Sequence, residues 1–139
     1  MVDASVIAKW ILPGEPYQEK AVKLKEDYTL GLVDLCAPSF TVQEVANALW
    51  RAIKLGRILK QDAEEALRVL DDMKIELHGL SWAEVTEDLA IASNLDLTVY
   101  DASYLHLSDK LRAPLITADE TLYERAKERY KIIRIEDYL

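Results

Sequence analysis

Short apolar runs alternate along this chain with longer stretches in which apolar residues recur every three or four positions. The runs at 1–3, 35–37, 75–77, 114–117 and 132–134 are too short for helices and read as strands. The periodic stretches between them read as helices. The first, 5–12, is stopped by Pro13-Gly14, and 16–28 follows. In 40–55, Val42, Val45, Ala46, Leu49 and Ile53 share one face, and Gly56 ends the helix. Ala63, Ala66, Leu67, Leu70 and Met73 repeat the pattern in 59–74, so these two helices form a hairpin. Ser81 with Glu84 is a capping box that opens a helix reaching to about residue 94. Residues 97–99 read as extended or loop, 101–111 and 120–129 as helices. Strands alternating with helices predict an α/β domain with a largely parallel sheet. Such sheets bind ligands at the carboxyl ends of their strands, where strand order reverses.

Composition narrows the function. The 139 residues suit one domain, 1–139, and half of them are apolar. Twenty-five acidic against 17 basic residues give a net charge of -8. That argues against an indiscriminate nucleic-acid coat protein. It leaves room for a nuclease, whose carboxylates hold cations that meet phosphate. Cys36 is alone, so no intrachain disulfide forms and the chain reads as cytoplasmic. Its apolar surroundings predict a buried thiol. No apolar run approaches the roughly 20 residues of a membrane span. Abundant Glu, Lys and Arg with scarce Asn and Gln lean toward a thermophile.

Four carboxylates fall where the sheet rule directs attention. Asp3 ends the first strand, Asp119 follows the fourth, Asp101 opens the helix before it, and Glu44 lies early in the helix after the second. A set of Asp and Glu with no His or Cys suits Mg2+ or Mn2+ rather than zinc. Each acid also has a plainer reading. Asp101 and Asp119 could be helix N-caps, Glu44 could complete a capping box with Thr41, and Asp3 could merely end a strand.

Four segments in order resemble the PIN domain, especially the prokaryotic VapC-type toxins. They are Val2-Asp3-Ala4-Ser5-Val6, Pro38-Ser39 with Glu44-Val45-Ala46-Asn47-Ala48-Leu49, Tyr100-Asp101-Ala102-Ser103-Tyr104-Leu105, and Leu115-Ile116-Thr117-Ala118-Asp119. The resemblance spans essentially the whole chain. It implies a three-layer fold with a central parallel five-stranded sheet, order 3-2-1-4-5, flanked by helices. It also implies a metal-dependent ribonuclease, the toxin of a toxin–antitoxin pair, acting on RNA as a homodimer with a small antitoxin partner. Carried onto this chain, the acidic positions are Asp3, Glu44, Asp101 and Asp119, and the polar helpers are Ser5, Thr117 and Asn47. The chain departs from the pattern in having only two residues before Asp3, Asp96 where many relatives have Gly, and His106 and Ser108 where Ala is common. The rival readings are an aspartyl-type phosphatase using Asp3 and a non-catalytic PIN-like binding module. Against the first, Ser5 stands where that chemistry commonly has a second Asp.

Glu44, Asn47, Arg51 and Lys54 form one helical stripe, which could meet RNA phosphates or be a solvated face. Lys9, about one turn past Ser5, could also reach phosphate, but reads first as a solvent-facing charge. His78 and His106 have no carboxylate–serine pattern around them in sequence, which argues against a serine-type triad. Trp10, Trp50 and Trp82 fall in helical patterns and are expected in the core or at a dimer interface.

Overall fold

The computed structural model describes all 139 residues. Its elements in chain order are α1 (Ala4–Ala8), α2 (Gln18–Thr29), β1 (Cys36–Pro38), α3 (Thr41–Lys54), α4 (Lys60–Asp72), β2 (Glu76–His78), α5 (Trp82–Leu95), α6 (Val99–Leu111), β3 (Leu115–Thr117), α7 (Glu120–Ala126) and β4 (Ile132–Arg134). All strand pairs are parallel: β1 with β2, and β3 with β4. The expected first strand is not a full strand. Val2 makes a single parallel bridge to Ile116, while the Val2 amide donates to the Cys36 carbonyl at 3.0 Å. Residues 1–3 nevertheless lie between the two strand pairs.

Side-chain alternation shows how layers form around this framework. Val2, Ala37 and Ile116 join one apolar cluster, with Val6, Trp10, Leu24 and Leu49. Met1, Cys36 and Leu115, their chain neighbours, face a second cluster with Leu105 and Leu122. Successive residues of an extended chain point to opposite faces, so helices α1 to α4 cover one side and α6 and α7 the other.

Element ends follow local chemistry. Pro16 leaves Tyr17 in a left-handed cap, φ 56°, and α2 starts at Gln18 rather than 16. Thr98 caps α6 by accepting from the Asp101 amide, so this helix begins before Asp101, not at it. Asp96 takes the left-handed C-cap of α5 at φ 54°, a conformation Asp tolerates better than most side chains. The Ser81–Glu84 capping box is present.

Other expectations need correction. Of the tryptophans only Trp10 is in the core; Trp50 and Trp82 are 54% and 91% exposed, which leaves the interface alternative for them. Cys36 is only half-buried. Lys9 is not solvent-facing: it is 9% exposed, with its ammonium 3.6 Å from Glu15. No helix is long and apolar enough to cross a membrane.

Candidate active site

The carboxyl edge of the strands gathers the predicted acids. Asp3, Glu44, Asp101 and Asp119 line one cleft of about 280 Å³, together with Ser5, Asn47 and Arg51. Four carboxylates from four parts of the chain thus meet, as expected from their positions at strand ends and helix starts. Thr117 is the exception among the predicted residues. It is fully buried beneath the cleft and reaches it only through its neighbours.

Asp3 sits at the centre of a small hydroxyl lattice. Its Oδ1 accepts from Ser5 Oγ at 2.5 Å and from the Val6 amide at 3.2 Å, capping α1. Its Oδ2 accepts from Thr117 Oγ1. Each hydroxyl also accepts a backbone amide: Ser5 from Ala118 at 2.9 Å, Thr117 from Asp119 at 3.0 Å. Two hydroxyls therefore lock the Asp3 carboxylate to the turn carrying Asp119. Asp119 caps α7 through Oδ1, which accepts from Leu122 at 3.1 Å, leaving Oδ2 without a backbone partner.

Tyr104, for which the sequence motif suggests no role, takes a place at the site. Its hydroxyl donates to Glu44 Oε1 at 2.7 Å, lies 2.6 Å from Thr41 Oγ1, and accepts from the Ala4 amide at 3.3 Å. A phenol has one proton, so with that proton on Glu44 the Thr41 hydroxyl must be the donor. Thr41 is consequently not a capping partner of Glu44; α3 has Phe40 at its N-cap and no side-chain cap bond. The signal available beforehand was spacing, since Tyr104 follows Asp101 by one helical turn and shares its face.

Like charges in a partly dry cleft raise proton affinity. Burial is the main cause lifting Asp3 from 3.8 to about 6, against the lowering effect of its hydrogen bonds, and Asp119 adds repulsion. Burial also raises Glu44, with Asp101 adding to it, and raises Asp101, with Asp119 adding to it. A divalent cation would relieve this repulsion, and an all-oxygen donor set suits Mg2+ or Mn2+. No three of the acids, His or Cys side chains stand at chelating spacing as they are placed. The donor chemistry fits such an ion; the side chains would still have to close on it.

The remaining predicted residues separate. Arg51 and Asn47 face the cleft, but Lys54 turns away, its ammonium 5.3 Å from the Trp50 ring centre. His106 does have a carboxylate and a serine nearby. Its Nδ1 is 2.6 Å from Asp88 Oδ1, and Asp88 Oδ2 accepts from Ser103 at 2.6 Å. Asp88 stands between the other two, so serine cannot pass its proton to histidine. The group ties α5 to α6 and is no triad.

Comparison with known proteins agrees with the geometry. Residues 1–128 match the PIN domain. Over 126 residues the chain is 34% identical to Ribonuclease VapC3 of Pyrobaculum aerophilum, covering 90% of this chain and 92% of that one. It is also 34% identical over 88 residues to Exonuclease VapC9 of the same organism, 63% of each chain. Among solved structures it resembles PAE2754 from Pyrobaculum aerophilum, with a TM-score of 0.68 and 27% identity over 97% of this chain and 87% of that one.

Proposed function

The chain belongs to the PIN-domain family, and on that footing we propose that it is a ribonuclease dependent on Mg2+ or Mn2+, the toxin of a toxin–antitoxin pair. The observation that carries this reading is the convergence of Asp3, Glu44, Asp101 and Asp119 in one cleft. The named relatives, a ribonuclease and an exonuclease, support it. Residues 1–139 would act as one nuclease domain. Residues 1–3 would be the middle strand of a five-stranded order 3-2-1-4-5, supported by the bonds from Val2 to both strand pairs.

Asp3, Asp101 and Asp119 would hold the ion, with Glu44 direct or through water. When bound, a divalent ion supplies charge against phosphoryl oxygens and a water of lowered pKa. This chain's residues do the placing. Ser5 and Thr117 fix the Asp3 carboxylate, Tyr104 fixes Glu44, and Asn47 and Arg51 offer donors to substrate oxygens. The aspartyl-phosphatase alternative is disfavoured because Ser5, bonded to Asp3, stands where that chemistry commonly has a second Asp.

Assembly and control belong to the same reading. Exposed Val42, Trp50, Leu55, Leu59 and Val69 on and beside α3 and α4 support a homodimer, which sedimentation would test. The apolar cavity beside Trp10 and α4, about 310 Å³, offers a seat for an antitoxin segment. The deciding experiment is end-labelled RNA with Mn2+. The parent should cleave, EDTA should stop it, and an Asp3→Asn, Asp101→Asn variant should lose at least about 100-fold. Equal cleavage by that variant would overturn the reading.

A further inference from the structure

The acid cleft does not end at Arg51. A second cavity of about 310 Å³ continues from it, and Ser5, Ala8, Ala48 and Arg51 belong to the walls of both. The opening has a simple cause. Where α1 and α3 face each other, Ser5, Ala8, Ala48 and Ala52 are all small, and no large side chain closes the passage.

The far cavity has the opposite charge. Lys9, Arg51 and Arg57 line it, with Glu15 as the only acid. Three cations against one anion leave a local excess of positive charge in a chain whose net charge is -8. Arg51 donates no side-chain hydrogen bond and enters no ion pair. Lys9 is buried, which is rare for lysine unless an anion meets it. Glu15 is that anion: its Oε2 lies 3.6 Å from Lys9 Nζ, and its Oε1 accepts from Arg57 Nη2 at 2.8 Å. The Arg57 hydrogen bond is the main reason its carboxyl lies below the usual range.

A carboxylate clasped by lysine and arginine at the end of a groove is chemically close to a bound phosphate oxygen. We propose that Lys9, Arg51 and Arg57 form a track for the backbone phosphates of single-stranded RNA leaving the acid cleft, with Glu15 as a built-in counter-ion that a phosphate replaces. The identity of the strand rests on the ribonuclease reading. The track accounts for features the acid cleft leaves unused, a buried lysine and a positive groove opening into a negative one, and Arg51 stands where the two meet. Glu15 keeps Lys9 compensated when no strand is bound. It also makes binding an exchange of one anion for another, which favours release after cleavage.

A strut is the competing account, in which Glu15 merely fastens the 13–17 loop to the end of α3. The two differ in sign. The assay is fluorescence anisotropy of a short labelled single-stranded RNA in EDTA at several salt concentrations, so that metal-assisted cleavage does not interfere. Glu15→Gln should bind about fivefold tighter, as expected from removing one like charge about 4 Å from a phosphate in water. Arg51→Ala, which removes no internal contact, should bind more weakly, with a log–log salt slope shallower by about 0.7. Cleavage with Mn2+ is measured in parallel. If binding behaves as stated and the parent does not cleave, the ribonuclease reading falls and the anion track stands. Should Glu15→Gln fail to fold, Arg51→Ala and its slope carry the test. Unchanged affinity and slope in Arg51→Ala, or weaker binding by a folded Glu15→Gln, overturns the proposal.

Discussion

Replacing Asp3 with Asn should stabilise the metal-free protein, and the gain should depend on pH in a defined way. Asp3 has its pKa raised from 3.8 to about 6, chiefly by burial. An acid with a higher pKa in the folded state than in the unfolded one holds its proton more tightly when folded. Its contribution to stability is complete below about pH 4 and is lost as the pH rises through about 6. The pKa difference corresponds to about 3 kcal/mol at neutral pH. Asn resembles the protonated acid in shape and charge, but its amide would require Thr117 to turn its hydroxyl from donor to acceptor. The expected net gain at pH 7 is therefore about 2 kcal/mol, or roughly 5–10 °C in Tm for a chain of this size. Thermal denaturation of parent and variant in EDTA, from pH 4 to 8, measures it. The difference between the two curves reports Asp3 together with its coupling to Asp119, because groups that do not interact with Asp3 are common to both. It should be small at pH 4, grow to about pH 6.5 and then level off. Mn2+ should raise the Tm of the parent, by about 2.7 kcal/mol of stabilisation at 100 times its Kd, and have much less effect on the variant. A parent–variant difference that does not change with pH would refute the assignment of strain to a buried, ionised Asp3.

Tyr104→Phe removes the partner of Glu44, Thr41 and the Ala4 amide together. It should cost about 1–3 kcal/mol and lower RNA cleavage roughly 10–100-fold, with circular dichroism unchanged; full activity would show that Glu44 needs no such anchor. Asp88→Ala removes the buried carboxylate that joins Ser103 to His106 across the α5–α6 contact, leaving Ser103 on the Val99 carbonyl and His106 on Glu87. It should destabilise by about 3 kcal/mol, read as a lower denaturation midpoint with unchanged slope; an unmoved midpoint would show the network to be energetically idle. Ser81→Ala removes the cap of α5, far from the cleft. It should cost about 1 kcal/mol in thermal unfolding and leave cleavage intact.

Periodicity made the helices and their order readable, because a buried helical face must repeat its apolar residues. Val45 and Leu49 were expected to be buried and are. The four acids were readable because strand ends and helix starts at one sheet edge bring them together whatever the details between. What sequence spacing could not convey was contact across the sheet. Tyr104 and Glu44 are 60 residues apart, and the Asp88–Ser103–His106 group joins two helices that had been read separately. Lys9 was misread for the same reason. Its partner Glu15 lies beyond the Pro13-Gly14 break, and nothing local shows that the chain folds back. For Trp50 and Trp82 the core-or-interface choice stayed open in the sequence, since a helical pattern places residues on a face without saying whether the same domain covers it.

The capping roles of Asp3 and Asp119 are compatible with the site proposed for them. Asp3 does cap a helix, and so does Asp119. An N-cap carboxylate accepts from backbone amides at the start of its helix, so its position and rotamer are set by the main chain. At a sheet's carboxyl edge the helices that follow the strands start at the same place, and their caps point toward a common opening. Capping thus uses only part of each carboxylate's bonding capacity and would hold it in place for an ion if one binds there as proposed. Asp101 follows a variation of the same rule. Its amide, rather than its carboxylate, is taken up by the Thr98 cap, which fixes the first turn of α6 and aims the side chain into the cleft. Glu44 has no cap to hold it and uses Tyr104 instead. A longer, more mobile side chain without backbone support requires an anchor from another helix, which explains why the one residue lacking a recognisable local role in the sequence became the anchor of the one acid lacking a local restraint.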